Sequence, residues 1–368
     1  MSPDKIDEDE LRRYIEYLQS KLATEGVADL FNCENVKEWA NGKVNSLEDF
    51  LSQYPSEVAA SLKNTLINDI NGFTPRTQFD IPFARYVFQP ILDNVAAIAQ
   101  QLGYRLRLPL RIENSTDVSI TPASRPSQDN HLIFAGVGTS SFCNAWAKVY
   151  AAIFMEIVLG PKIKSLKYRG NKQLDSVESG TLGLAAKLCA YYATYSTLLF
   201  FGEIIEPSEN NEIRLQLLSA METFVIAHEY AHCFLDENTP VVQSNADREK
   251  EIELENKCDL IAFRICCSYG EAVKNVPAIS GAGAILFFNS LALSERVHNI
   301  LFEKDHRSES GHPDPVKRIE YLVSLSKEKA IAAKNLDIVE PYLNDVLSIC
   351  QRLNTFISDL FKLYQSQK

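Results

Sequence analysis

Residues 211–235 narrow most sharply what this chain can fold into. Their apolar side chains recur at helical spacing, and the stretch "FVIAHEYAHCFLDE" (224–237) leaves almost no polar face for water. Such a helix reads as buried, and 368 residues are enough to build a sizeable core around it. The same stretch carries His228, Glu229 and His232. Burying two imidazoles and a carboxylate without partners would cost several kcal/mol, so neighbouring side chains or a cation must satisfy them.

The spacing suits a cation. Positions i and i+4 lie on one helical face one turn apart, so His228 and His232 can aim ring nitrogens at a common point, while Glu229 reaches beside that point without ligating it. Tetrahedral Zn2+ needs a third protein ligand, and a catalytic site keeps its fourth position open. The next helical pattern, "EIELENKCDLIAFRI" (251–265), offers Glu255 and Asp259, again at i and i+4. Glu255 is expected as the third ligand and Asp259 as the acceptor that orients a ligating histidine through its other ring nitrogen. Glu249, Glu251 and Glu253 fit a solvated acidic face; Asp259, followed by "LIAF", does not. Cys233 and Cys258 stand beside His232 and Asp259, and a thiolate from either would close the site and make the zinc structural. A residue directly before Asp259 should, however, point away from the face bearing Glu255.

From residue 142 onward the chain reads mostly as helices: 142–159, 180–202, 211–235, 249–269, 278–297, 313–327 and 335–365. A helix over 82–102 and three strand candidates, 104–113, 117–122 and 131–138, come before them. The expectation is an α+β chain, predominantly helical, with a small β-sheet. Three parts are predicted: an N-terminal helical module (1–75), where Ser46 with Glu48 and Asp49 marks a helix start, a core (76–330) and a C-terminal helical extension (331–368). Gly136 and Gly138, followed by Thr139, Ser140 and Ser141, lack the lysine and spacing of a phosphate loop; they are expected to end a strand and open a helix.

Charge and composition argue against other classes. A formal net charge of -11 repels phosphate backbones, and the one basic cluster, Lys162, Lys164, Lys167, Arg169 and Lys172, has the weak periodicity of a solvated loop, so no nucleic-acid partner is expected. Eight cysteines without a CxxC pair suit a reducing compartment, and the acidic, amphipathic N-terminus does not read as an export signal; both predict a cytoplasmic protein. Residues 188–202 and 275–294 are apolar, but Asn275, Pro277, Ser280, Asn289, Ser290 and Ser294 dilute the second, so buried helices rather than membrane spans are expected.

One more segment, "SGHPDPVKRIEYLVSL", places His312 at a proline-rich helix entrance with Arg318 six residues later. The order "HEYAH", then "ENKCD" with Glu255 23 residues after His232, then "HPDPVKRI" resembles the gluzincin metallopeptidases, which carry a Glu-x-x-Ala-Asp second motif and a His-Pro-x-x-x-x-Arg third motif. Membrane-bound CaaX-processing and HtpX-type proteases share that order, as do the soluble Lit-type phage-exclusion peptidases, to which a chain without convincing spans is more similar. The resemblance covers roughly residues 221–325 and departs from the pattern at Cys258, where alanine is usual. It implies a zincin-like core with flanking helices, zinc held by His228, His232 and Glu255, Glu229 as base, Asp259 behind a ligand, His312 stabilising the oxyanion and Arg318 fixing that loop. It further implies an endopeptidase with a protein or peptide substrate, acting on a host factor during phage defence. An extended substrate is expected to add to a sheet edge, and "HLIFAGVG" (131–138) reads equally as that edge or as an ordinary core strand. The competing reading is a non-catalytic regulatory or scaffolding protein in which zinc only ties two helices together.

Overall fold

The computed structural model describes residues 8–22, 34, 37, 38, 41, 42, 56–81, 84–127, 129–159, 166–169, 180–238, 248–303, 313–333 and 336–366. In chain order the elements are α1 (Glu8–Leu22), α2 (Ser56–Gly72), a π-helical turn (Ala84–Phe88) running into α3 (Gln89–Gln101), β1 (Leu110–Asn114), β2 (Ala123–Pro126) and β3 (His131–Ala135). There follow α4 (Val137–Leu159), β4 (Lys167–Arg169), α5 (Thr181–Tyr195), β5 (Glu203–Ile205), α6 (Asn211–Asn238) and α7 (Arg248–Val273). The single turn α8 (Val276–Ile279), then α9 (Ala282–Phe302), α10 (Pro315–Ala333) and α11 (Leu336–Ser366) complete the order. The chain is predominantly helical with a three-stranded sheet, as its periodicity predicts.

Helix α6 occupies the middle, packed against α3, α4, α7, α8 and α9, and every residue from Ala220 to Ala231 is buried. Its all-round apolarity is thus matched by neighbours on all sides. α9 is buried almost as completely, and the polar residues that argued against a membrane span find partners inside: the Tyr150 hydroxyl donates to the Leu286 carbonyl at 3.1 Å, the Asn289 amide to Tyr150 at 3.1 Å, and the Asn354 amide to Asn289 at 2.9 Å. No helix among the described residues is long and apolar enough to cross a membrane. The helix expected over 278–297 is divided at Gly281, whose φ of +72° no β-carbon-bearing residue adopts comfortably. The one expected over 180–202 stops at Tyr195, where Ser196 turns left-handed and its amide caps the Tyr192 carbonyl.

The sheet runs β1-β3-β2, with β3 parallel to β1 and antiparallel to β2. β3 is therefore central, a core strand and not a substrate-binding edge. All five of its residues are buried: Ile133 and Ala135 join the main core, while Leu132 and Phe134 pack against Leu11 and Ile15 of α1. A strand apolar on both faces is covered on both faces. The edges are β1 and β2, and β2, "ASRP", has too little apolar alternation to be read as a strand. The strand expected over 117–122 is irregular, because the Asp117 and Ser119 side chains accept hydrogen bonds from the Ser119 and Thr121 amides at 3.2 and 3.3 Å and so compete with a ladder. Only the end of 104–113 is strand, since the Arg107 and Leu108 amides donate to the Glu237 carboxylate at 2.8 and 2.9 Å. Between β3 and α4 the chain turns at Gly136 as expected. Gly138 sits so close to the Val118 and Ser119 carbonyls that a β-carbon there would lie 2.5 Å from the Ser119 oxygen. Lys167–Arg169 of the basic cluster form β4, paired with β5; Lys162, Lys164 and Lys172 lie outside the described residues, as do Ser46, Glu48 and Asp49.

Candidate metal centre

The contact of α6 with α7 brings the sequence-predicted donors together. His228 and His232, one turn apart, hold their Nε2 atoms 3.1 Å from each other. Across the helix pair, the Glu255 carboxylate lies 3.4 Å from His228 Nε2 through Oε2 and 3.3 Å from His232 Nε2 through Oε1. Bonds of about 2.0–2.2 Å to a tetrahedral ion set donors roughly 3.3–3.5 Å apart, the separation that each histidine nitrogen keeps from one of the two Glu255 oxygens. Two imidazoles and a carboxylate are also the donor chemistry zinc takes at catalytic sites, and the residues therefore fit the ion.

Glu229 is a second candidate: one oxygen of its carboxylate and the two histidine nitrogens lie within 4.8 Å of one another. Its Oε2, however, accepts the Ser124 amide of β2 at 2.8 Å, an engagement that leaves Glu255 the better third donor. Neither Cys233 nor Cys258 belongs to the donor cluster, and burial, aided for Cys258 by the charge of Glu255 and for Cys233 by that of Glu229, pushes both thiols well above their ordinary pKa and disfavours the thiolate.

Behind the donors stands a second layer. His228 Nδ1 lies 3.0 Å from Asp259 Oδ1, and Arg318 grips the same carboxylate with two bonds, Nη2 to Oδ1 at 2.6 Å and Nε to Oδ2 at 2.7 Å. Arg318 Nη1 also reaches to 3.5 Å from Glu255 Oε2, and its guanidinium lies 4.0 Å above the Phe288 ring. Among the described residues Arg318 thus serves Asp259 and Glu255, while the loop it is expected to fix lies outside them. Asp259 is 0% exposed, and burial pushes its pKa up, but the charge of Arg318 and the hydrogen bond from His228 outweigh this and hold it below the ordinary aspartate value. Burial pushes His228 down; its hydrogen bonds to Asp259 and Glu255 prevail and lift it to about 9 in the metal-free chain.

His228 and Glu229 open onto a cleft of about 240 Å³ that runs between α9 and residues 119–122 and includes Arg318 and Asp314 in its lining. His312 lies outside the described residues; Pro313, which follows it, lines the cleft. Sequence reasoning missed Ser124, which acts through its backbone amide, and Phe288, whose ring meets Arg318 only through helix packing. Phe224 could have been found: it lies one turn before His228, and the two rings are 6.3 Å apart. Compared with models of protein families, with curated proteins and with solved structures, the chain matches none.

Proposed function

We propose that the chain is a zinc-dependent endopeptidase of the gluzincin type. The observation that carries the reading is the convergence of His228, His232 and Glu255 on one point with Glu229 beside it on an open cleft. Zinc, when bound, polarises a carbonyl and lowers the pKa of water to about 7. Asp259 accepts a hydrogen bond from Nδ1–H of His228 and so fixes the tautomer that leaves the Nε2 lone pair free for the donor face. Arg318 keeps Asp259 anionic for that task. Ser124 holds Glu229 through Oε2, and its other oxygen is the one placed to take a proton from water and hand it to the leaving amine. The motif order extends the proposal to a host protein cleaved during phage infection.

The rival reading, zinc as a tie between α6 and α7, predicts the same metal content and no chemistry. Zinc is to be measured by mass spectrometry on wild type and Glu229→Gln, and cleaved proteins sought in lysates treated with each. A roughly 100-fold or greater loss of cleavage in a zinc-replete variant supports catalysis by Glu229. Zinc in both and cleavage by neither favours the tie.

A further inference from the structure

Resting on the peptidase reading, we infer that Pro122, Ser124 and Pro126 close the edge of β2 to strand addition, so that the substrate segment is held at Glu229 through its side chains and not as an added strand. Main-chain groups along a strand point alternately to its two sides. The His131 amide donates at 2.8 Å to the carbonyl of Pro109, just before β1, so Leu132 and Phe134 are the residues of β3 that bond to β2. Their partners are Arg125 and Ala123. Residues 122, 124 and 126 therefore turn their main-chain groups away from β3, as the Ser124 amide shows by reaching Glu229 Oε2 at 2.8 Å.

Among the described residues that outer edge has no donor to give. Pro122 and Pro126 carry no N–H. The amide between them, that of Ser124, is committed to the candidate base, and lending it to a substrate would release Glu229. Acceptors are engaged as well: Arg125 Nη1 donates to the Ser124 carbonyl at 2.9 Å, and the Tyr14 hydroxyl of α1 donates to the Pro126 carbonyl at 3.4 Å. The segment leading into β2 lines the cleft and satisfies itself in the same way, with the Ser119 amide on Asp117 at 3.2 Å, the Thr121 amide on Ser119 Oγ at 3.3 Å and that hydroxyl on the Thr121 carbonyl at 3.2 Å. β1, the other edge, lies beyond β3 and packs against the π-helical turn. Edge prolines keep a strand from pairing with another chain. Here they flank the amide that holds the base, which is where an added substrate strand would lie.

Pro122→Ala and Pro126→Ala each return one N–H to the outer edge, and Pro126, being exposed, is the position at which folding is least disturbed. Zinc-loaded wild type, both single variants and the double variant are to be assayed on linear peptides from a digested bacterial proteome. Each restored N–H should lower KM roughly 2- to 10-fold, the worth of one net main-chain hydrogen bond, with kcat within about two-fold of wild type and zinc content unchanged. A merely loosened β2 would instead lower kcat through Glu229. Equal KM in wild type and every variant overturns the closed edge and leaves the peptidase reading standing.

A readout independent of turnover is hydrogen exchange of zinc-loaded Glu229→Gln, with and without the proline substitutions, in the presence of the same peptides. The amides introduced at 122 and 126 should gain protection, whereas residues 123–127 of the chain that keeps both prolines should gain none. Protection in the proline-containing chain overturns the closed edge. Protection of the introduced amides without cleavage by wild type or any variant overturns the peptidase reading and supports the closed edge; neither protection nor cleavage overturns both.

Discussion

Replacing Asp259 by asparagine tests whether the second layer of the site acts on the metal or only on the fold. In the wild-type chain three N–H groups converge on two carboxylate oxygens: His228 Nδ1 and Arg318 Nη2 on Oδ1, Arg318 Nε on Oδ2. Asparagine offers one oxygen and sets an NH2 group where the other stood, so a donor faces a donor whichever way the amide turns. It also leaves the Arg318 cation without its counter-charge, holding one bond to the amide oxygen, its 3.5 Å approach to Glu255 Oε2 and its place over Phe288. Breaking a buried pair in this way costs about 3–5 kcal/mol of folding stability. Losing the acceptor behind a ligating histidine costs roughly 10- to 100-fold in metal affinity, or about 1.4–2.7 kcal/mol.

The two losses can be separated. Urea melts of the metal-free chain report the first, and competition with a zinc chelator at fixed pH reports the second. Adding Arg318→Met to Asp259→Asn removes the stranded cation and should return more than half of the lost stability, but it should return little of the lost zinc affinity, because His228 still lacks its carboxylate. A zinc affinity within two-fold of wild type in Asp259→Asn would refute the reasoning, as would a double variant no more stable than the single one.

Other consequences concern parts of the chain away from the donors. Glu222 is buried on α6 and accepts the Ser140 hydroxyl at 2.8 Å; burial raises its pKa from 4.5 to about 7 against the lowering effects of Ser140 and Arg214. Its folded-state pKa lies above the unfolded value, so its stabilising contribution is complete below pH 4.5 and lost as pH rises through about 7. Glu222→Gln should therefore flatten the fall of stability between pH 5 and 8 by up to about 3 kcal/mol, read from denaturant melts across that range. Gly138→Ala should cost about 1–3 kcal/mol by overpacking against the Val118 and Ser119 carbonyls. Because Ser119, Ile120, Thr121 and Pro122 line the cleft, the same variant should weaken peptide cleavage more than zinc binding, compared by turnover and chelator competition.

What could be read in advance followed from local periodicity. The i, i+4 rule places His228 and His232 on one helical face and Glu255 and Asp259 on another, and the long apolar pattern around the histidines marks a buried helix, as α6 is. The edge strand was illegible for the opposite reason. "ASRP" has almost no pattern of its own and is a strand only because β3 pairs with it, whereas "HLIFA" is strongly apolar and reads as edge or core strand until its apolarity at both parities, which means cover on both faces, decides for the core. Arg318 shows the limit most clearly. The resemblance ties it to the loop of His312, six residues away; its partner Asp259 is 59 residues away and is met only because α10 packs on both α7 and α9. Packing also explains why an arginine stands there. A planar guanidinium can give two parallel bonds to Asp259, lie flat on Phe288 and still direct a third nitrogen toward Glu255, whereas the single ammonium of a lysine could serve only one of these partners well.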